Sequence, residues 1–135
     1  MRWQALGLLG VLVAGTAFAH HSTANFDRTK EQTITGTVTY FGFTNPHSFI
    51  DIDAPASAGA APAAATQGTS AEPYKVFAPG RVLLVRYDWL PTDVKPGDKV
   101  TVTGYPDRKN PHFMYLARIT FASGKVWTRS AQIPE

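Results

Sequence analysis

The chain has 135 residues, a formal net charge of +3 and no cysteine. Its length suits one domain, because domains average ~100–200 residues, and it disfavours an enzyme with a separate cofactor domain. The lack of cysteine excludes disulfides, thiolate metal sites, a cysteine nucleophile and a lipid-modified N-terminal cysteine.

The N-terminus has the three parts of an export signal. Arg2 supplies the basic start, residues 5–14 are almost wholly apolar, and Ala17-Phe18-Ala19 places small residues where signal peptidase cuts. The apolar stretch of about 15 residues falls short of the ~20 that span a bilayer, which disfavours the alternative of an uncleaved anchor. We therefore predict a signal peptide over 1–19 and a mature periplasmic chain that begins at His20 and has no membrane span.

The first predicted strand covers residues 33–43, after a short N-terminal segment, 20–32. Its β-branched and aromatic residues favour a strand, with Ile34, Val38 and Tyr40 on one face. Its two glycines indicate a bulge or a sharp bend, as small barrels need at their corners.

The second predicted strand covers residues 47–53 and should pair with the first as a hairpin. One face carries Ser48, Ile50 and Ile52. The other face carries His47, Phe49, Asp51 and Asp53. The two carboxylates could orient His47, although the interpretation we favour is the solvated face of an amphipathic strand.

Residues 54–73 are rich in alanine, proline, glycine, serine and threonine and almost free of charge. Such a composition cannot bury enough apolar surface to become ordered. We interpret this segment as a flexible insertion in a hairpin. An alanine helix is the alternative, which Pro55 and Pro62 disfavour.

The rest of the chain predicts three further main strands and one helix. Pro91 ends the helix, in which Leu83, Leu84 and Tyr87 have helical spacing. The predicted ranges are a strand over 74–77, one or two helical turns within 81–89, strands over 99–105 and 113–121, a short edge strand over 125–128 and a tail over 129–135.

This order of elements is that of an OB-fold, with the helix between the third and fourth strands. A β-sandwich is the alternative, for which about five strands are few. We predict an all-β domain over 33–128, a small five-stranded OB-like barrel with one short helix.

Several short motifs together resemble the family of small exported bacterial proteins of unknown function called DUF6152. They are His20-His21-Ser22 after the cleavage site, Phe26-Asp27, Gly36-x-Val38, Asn45-Pro46-His47, a proline-led helix ending in Trp89, and the run from Lys95 to Val100. The resemblance covers nearly the whole mature chain and implies an exported protein with a single β domain, without an established activity.

The chain departs from the family pattern on the third strand. Family members tend to carry Trp-x-x-Glu there, whereas this chain has Tyr74-Lys75-Val76-Phe77. The acidic residue is therefore absent, and any role that it has in relatives is fulfilled otherwise here or lost. The insertion over 54–73 is also longer than is usual in the family.

The four histidines are the candidates for metal binding. A mature N-terminal His20 offers its α-amine and ring Nδ1 as a chelate, and His21 or His47 could add a third nitrogen in the tetragonal arrangement that Cu(II) favours. His112 lies in a second Asn-Pro-His motif, also directly before a strand. In the alternative interpretation the N-terminal pair is solvated and both motifs are ordinary turns.

Other functions have less support from the sequence. Aromatic residues on an OB barrel can stack with bases, but an exported chain of small charge rarely meets nucleic acid, so we predict packing roles for them. These residues are Tyr40, Phe41, Phe43, Phe49, Phe113 and Tyr115. No Gly-x-Ser-x-Gly, phosphate loop or His-Glu-x-x-His occurs, which leaves copper-dependent oxidation as the sole enzymatic possibility.

The sequence thus leads to two hypotheses about function. The first is a periplasmic binding module without catalysis, whose partner is a small molecule or another periplasmic protein. The second is a periplasmic copper-binding protein that uses the mature N-terminal histidine.

Overall fold

A computed structural model describes residues 23–55 and 70–129 of the chain. A single 3₁₀ turn, Thr23–Asn25, comes first. The helix and the strands that follow are β1 (Gln32–Gly42), β2 (His47–Pro55), β3 (Ala71–Pro79), α1 (Arg81–Arg86), β4 (Lys99–Pro106), β5 (Phe113–Thr120) and β6 (Val126–Thr128).

The strands form one sheet that closes on itself. Antiparallel pairing gives the order β3-β2-β1-β4-β5-β6, and β3 also pairs in parallel with β5. That parallel pairing closes β1 to β5 into a barrel, and β6 extends the sheet beside β5. The predicted fold class is confirmed: a small five-stranded barrel with one short helix between the third and fourth strands, in which β1 and β2 form a hairpin.

The barrel interior is filled by alternate residues of each strand, as the period of two requires. Leu84 of α1 and Trp89 after it are fully buried and complete this core at the helix. The other interior side chains with almost no exposure are Ile34, Val38, Ile50, Ile52, Val76, Met114, Leu116, Ile119 and Trp127, and the rings of Tyr74 and Phe121 are buried in the same core.

Tyr40 of β1 lies on the outer face of the sheet, although the sequence predicts it on the inner face. Tyr40 was expected beside the buried Val38, but 54% of Tyr40 is exposed. Val38 pairs with Ile52 whereas Tyr40 pairs with Asp51, so Thr39 is an extra residue in the ladder. This β-bulge exchanges inward and outward positions for the residues that follow it in β1. It lies between Gly36 and Gly42, the two glycines from which a bulge or bend was predicted.

The strands also extend further than predicted around the segment 54–73. Ala54 is buried, β2 ends at Pro55 and β3 begins at Ala71. Pairing between β2 and β3 provides backbone hydrogen bonds in this region, so residue types that disfavour strands still extend them. The remaining part of the predicted insertion, 56–69, lies outside the described residues, as do residues 1–22 and 130–135.

The helix has six residues, which confirms the one or two turns predicted within 81–89, and its apolar residues mostly face outward. Leu84 is buried, but 37% of Leu83 is exposed and Tyr87 is half-buried after the helix has ended at Arg86.

Within the two described ranges, no helix is long and apolar enough to cross a membrane.

The first Asn-Pro-His motif fixes the start of α1. Asn45 Oδ1 accepts a hydrogen bond from the Val82 N–H at 3.2 Å, and the Asn45–Pro46 peptide bond is cis. Gly80 lies directly against this loop. A Cβ atom there would meet the Pro46 carbonyl oxygen and would lie 2.7 Å from Asn45 Oδ1.

We expect Gly80→Ala to lower the free energy of unfolding by about 1–3 kcal/mol, because the added methyl group overlaps backbone that cannot move independently. Urea unfolding measures the loss. Gly42→Ala is the matched control, since a Cβ atom there meets only the Tyr40 side chain, at 3.0 Å. An equal loss in both variants would contradict a specific contact between Gly80 and the loop.

Candidate functional site

Aromatic residues form one row across the outer face of four neighbouring strands. Phe49 of β2 pairs with Phe77 of β3, Phe77 pairs with Tyr115 of β5, and Tyr115 pairs with Tyr105 of β4. Because directly paired residues project to the same side of a sheet, these four side chains lie next to one another. We call them the ring row.

The rings within the row are in contact. The centroids of Phe49 and Phe77 are 5.5 Å apart in an edge arrangement, and those of Phe77 and Tyr115 are 5.7 Å apart and stacked. Both distances lie in the range of favourable aromatic pairs. The row belongs to a second hydrophobic cluster, separate from the barrel interior.

The N-terminal segment covers one end of the ring row. Phe26 follows the 3₁₀ turn, and its ring centroid lies 5.2 Å from those of Phe113 and Tyr115 and 6.1 Å from that of Phe77. An isolated bridge to Asp107 fixes the backbone of Phe26 beside β4. Phe26, Phe77 and Tyr115 are consequently all buried.

The other end of the ring row remains partly open. His47 and Phe49 are half-buried, and the His47 ring centroid lies 4.4 Å from that of Phe77. Lys75 Nζ lies 5.5 Å from the Phe49 centroid and 3.1 Å from Asp51 Oδ1. We call His47, Phe49 and Lys75 the open end. It combines an imidazole, a phenyl ring and an ammonium group.

Two further cations border the covered end. The guanidinium carbon of Arg129 lies 4.2 Å from the Tyr115 ring centroid, and that of Arg28 lies 5.6 Å from it. Cations within about 6 Å of a ring centroid are attracted by its electron-rich face. With Lys75 at the open end, positive charge therefore lies at both ends of the row.

The structure does not bring the two described histidines together. His47 pairs with Pro79 at the end of β3, whereas the His112 ring stacks on Tyr74 at a centroid distance of 4.5 Å. Those two β3 residues are five positions apart, which corresponds to roughly 17 Å along a strand. One metal ion, with bonds near ~2 Å, cannot bind both His47 and His112 in this arrangement.

The remaining predictions of metal-binding residues concern His20, His21 and His112. His20 and His21 lie outside the described residues. His112 Nε2 lies 3.4 Å from Glu72 Oε2, a contact that sequence reasoning missed. Within 23–55 and 70–129, no group of three histidine, aspartate or glutamate residues is arranged to hold a metal ion.

Comparison with known proteins places the chain in a family. The model of the family of unknown function DUF6152 matches residues 9–115. The chain belongs to the DUF6152 family. Among curated proteins, no sequence matches this chain.

Solved structures of TiaS are distantly similar to this DUF6152 chain. The ZRD-deleted mutant of TiaS in complex with agmatine gives a TM-score of 0.44 at 18% identity, covering 70% of this chain and 21% of that one. Apo TiaS gives 0.39 at 19% identity, covering 71% of this chain and 19% of that one. This chain thus spans about a fifth of TiaS, and a likeness this distant carries no inference about function.

The departure from the DUF6152 pattern on the third strand falls in the ring row. Phe77 occupies the position of the glutamate in the family pattern described above, and only 5% of it is exposed. Its neighbours are the rings of His47, Phe49 and Tyr115. An aromatic residue suits this position, because a carboxylate among these rings would be costly to bury without a partner.

The sequence points to some of these rings, although it predicts packing roles for them and not a binding site. Among the aromatic candidates, Phe49, Phe113 and Tyr115 lie on the outer cluster, while Phe41 and Phe43 pack against the barrel core. Phe26, Phe77 and Tyr105 were missed. Phe26 stands alone in a polar segment, so no periodicity marked it.

We expect Phe26→Ala to lower the free energy of unfolding by about 3 kcal/mol, because a buried phenyl ring leaves a cavity. It should also expose Phe77 and Tyr115 and increase the fluorescence of a bound hydrophobic dye. Urea unfolding and dye titration measure both effects. Val82→Ala, at a residue that is 56% exposed, is the control. Unchanged stability of Phe26→Ala would show that the N-terminal segment does not cover the ring row.

Proposed function

We propose that this protein is an exported binding module that holds a small ligand, or a side chain of a partner protein, at the open end of the ring row. The observation that carries the proposal is the row of rings on the outside of the barrel, one end of which is left partly exposed. Outer strand faces of OB-like barrels are surfaces on which such domains bind ligands.

The chemistry of the open end favours a flat, ring-shaped ligand with a negative charge. The Phe49 and His47 rings offer surfaces for stacking, and 52% of the Lys75 side chain is exposed. Lys75 Nζ lies 3.1 Å from Asp51 Oδ1, and 33% of the Asp51 side chain is exposed. An incoming carboxylate or phosphate can bind the exposed side of the Lys75 ammonium group, which has three donors and so can keep Asp51 as a partner.

The rings at the covered end pack against one another without the rings of the open end. Phe26, Phe113 and Tyr115 already form a closed group of rings at the covered end. The His47 and Phe49 rings at the open end stay half-exposed, so part of their surface can stack on a ligand. The proposal assigns binding and orientation to this site and no catalytic step. Export rests on the sequence pattern of residues 1–19.

We expect 2-naphthoate to bind saturably and to shift the backbone amide NMR signals of residues 47–51 and 75–77. Phe49→Ala should weaken binding about tenfold, since a stacked pair contributes about 1 kcal/mol or more. Lys75→Gln should remove the preference for 2-naphthoate over the neutral 2-naphthalenemethanol.

The control for this titration is Thr35→Ala, at an exposed polar position on β1, which should bind as the unchanged chain does. Shifts confined to other surfaces, or binding indifferent to both Phe49→Ala and Lys75→Gln, would contradict the proposal.

A second candidate function is copper binding by the mature N-terminal histidine. The specific observation in its favour is the position of Phe26, which fixes the N-terminal segment on the same rings that contact His47. The ring centroids of Phe26 and Phe77 are 6.1 Å apart, and those of Phe77 and His47 are 4.4 Å apart. In this proposal His20 supplies the chelate and His47 the third nitrogen, ahead of His21 and His112.

We expect the exported chain, shown by intact mass to begin at His20, to bind one equivalent of Cu(II) tightly with a nitrogen-rich tetragonal EPR spectrum. His47→Ala should weaken this binding, while His112→Ala, at the opposite end of β3, should not. A serine added before His20 removes the chelate and should abolish the site. Weak or multiple binding that is indifferent to His47→Ala would contradict this candidate.

A further inference from the structure

The short helix carries an unusual amount of exposed apolar surface. Five of the six residues of α1 are exposed, and only Leu84 is buried. The exposed fractions are 56% for Val82, 37% for Leu83, 47% for Val85 and 45% for Leu90, which follows the helix. We call these four residues the helix patch.

The helix patch is fixed in place at its beginning. The Arg81 N–H donates to the Thr44 carbonyl oxygen at 2.9 Å, and the Val82 N–H donates to Asn45 Oδ1 at 3.2 Å. Both acceptors belong to the loop between β1 and β2. The exposure of the patch is therefore not the result of a loosely held helix.

The segment after the helix is fixed as well. Trp89 is fully buried, and Lys125 Nζ donates to Asp93 Oδ2 at 3.0 Å and to the Asp88 carbonyl oxygen. The hydrogen bond to Asp93 raises the pKa of the Lys125 ammonium group. Leu90 is thus held between two anchored residues and kept exposed.

Positive charge accompanies the helix patch. Arg81 and Arg86 begin and end α1 and are both exposed, and no ion pair within the described ranges involves either of them. At about 100° per residue, Val82 lies opposite the buried Leu84, and Arg86 lies close to Val82. The nearby carboxylates of Asp88 and Asp93 share the single ammonium group of Lys125, so these three groups carry one negative charge against the two positive charges of Arg81 and Arg86.

We propose that the helix patch docks the protein on the surface of an anionic lipid bilayer. Such a surface offers negatively charged headgroups to Arg81 and Arg86 and, about 5–10 Å below them, an apolar region for the valine and leucine side chains. A fluid bilayer adapts to the shape of an exposed helix, whereas a folded protein partner would have to present a groove of matching shape.

A second copy of the chain fits this surface less well. Contact between two identical patches would bring the arginines of both copies together at one interface. Like charges facing one another at an interface cost several kcal/mol. The charge pattern therefore favours an anionic partner over self-association.

Vesicle sedimentation of the mature chain tests this proposal. We expect binding to phosphatidylglycerol–phosphatidylcholine vesicles that weakens with added salt, and little binding to vesicles of phosphatidylcholine alone. The double variant Arg81→Gln and Arg86→Gln should bind about 30-fold more weakly. The double variant Val82→Ser and Val85→Ser should lose about tenfold.

Two matched controls replace an exposed residue of the same type elsewhere. Val126→Ser, at a residue that is 52% exposed, and Arg118→Gln on β5 should bind as the unchanged chain does. Urea unfolding of every variant shows that the fold is retained. Absence of binding to anionic vesicles, or equal losses in variants and controls, would overturn the proposal. So would concentration-dependent dimerisation that the serine variant abolishes, because it would assign the patch to a second copy.

Discussion

The parallel pairing of β3 with β5 is the contact on which the rest of the structure depends. The Lys75 N–H donates to the His112 carbonyl oxygen at 2.8 Å, and from there Val76 and Phe77 lie beside Met114 and Tyr115. Val76 and Met114 project into the barrel and are fully buried, whereas Phe77 and Tyr115 project outward. One pairing therefore closes the core and builds the centre of the ring row.

The inner and outer faces of the sheet consequently differ in what their side chains do. The interior is filled by aliphatic side chains, Met114 and the buried rings of Tyr74, Trp89, Phe121 and Trp127, which stabilise the barrel. The outside carries rings on which Phe26 packs, from a segment joined to the sheet through the bridge between Phe26 and Asp107. The residues that make the outer face suited to binding are thus largely separate from those that hold the barrel together.

The loop between β1 and β2 connects the two surfaces to which we assign functions. Asn45 holds the first turn of α1, and His47, two residues later, begins the strand that carries the open end. The Asn-Pro-His motif thus has both a structural role and a role in the candidate site. Its asparagine positions the helix patch, and its histidine belongs to the open end.

Much of the barrel could be predicted from local patterns. Ile50 and Ile52 alternate with outward residues, and that period identifies a strand and its buried face. The bulge at Thr39 could not be predicted in position, because it depends on the register with β2, which the pattern of β1 alone does not contain. The outward face of α1 was missed for a related reason: helical spacing shows which residues share a side and does not show which side meets the barrel.

The candidate site was only half predictable. Phe49 and Tyr115 are visible as aromatic residues on strands, but their proximity depends on the closure between β3 and β5. Phe26 is distant in sequence from every ring that it covers, and only the fold brings them together. His47 and His112 look equivalent as motifs, and only the register of β3 with its two neighbours places them at opposite ends.

Native mass spectrometry of the protein exported with its own N-terminus tests the central claim most directly, because one spectrum reports both processing and occupancy. The account predicts a chain that begins at His20 and carries a noncovalently bound small molecule, which Phe49→Ala releases. A chain that retains residues 1–19 would contradict export. A processed chain without any bound molecule, indistinguishable from Phe49→Ala, would contradict a small-ligand site at the open end.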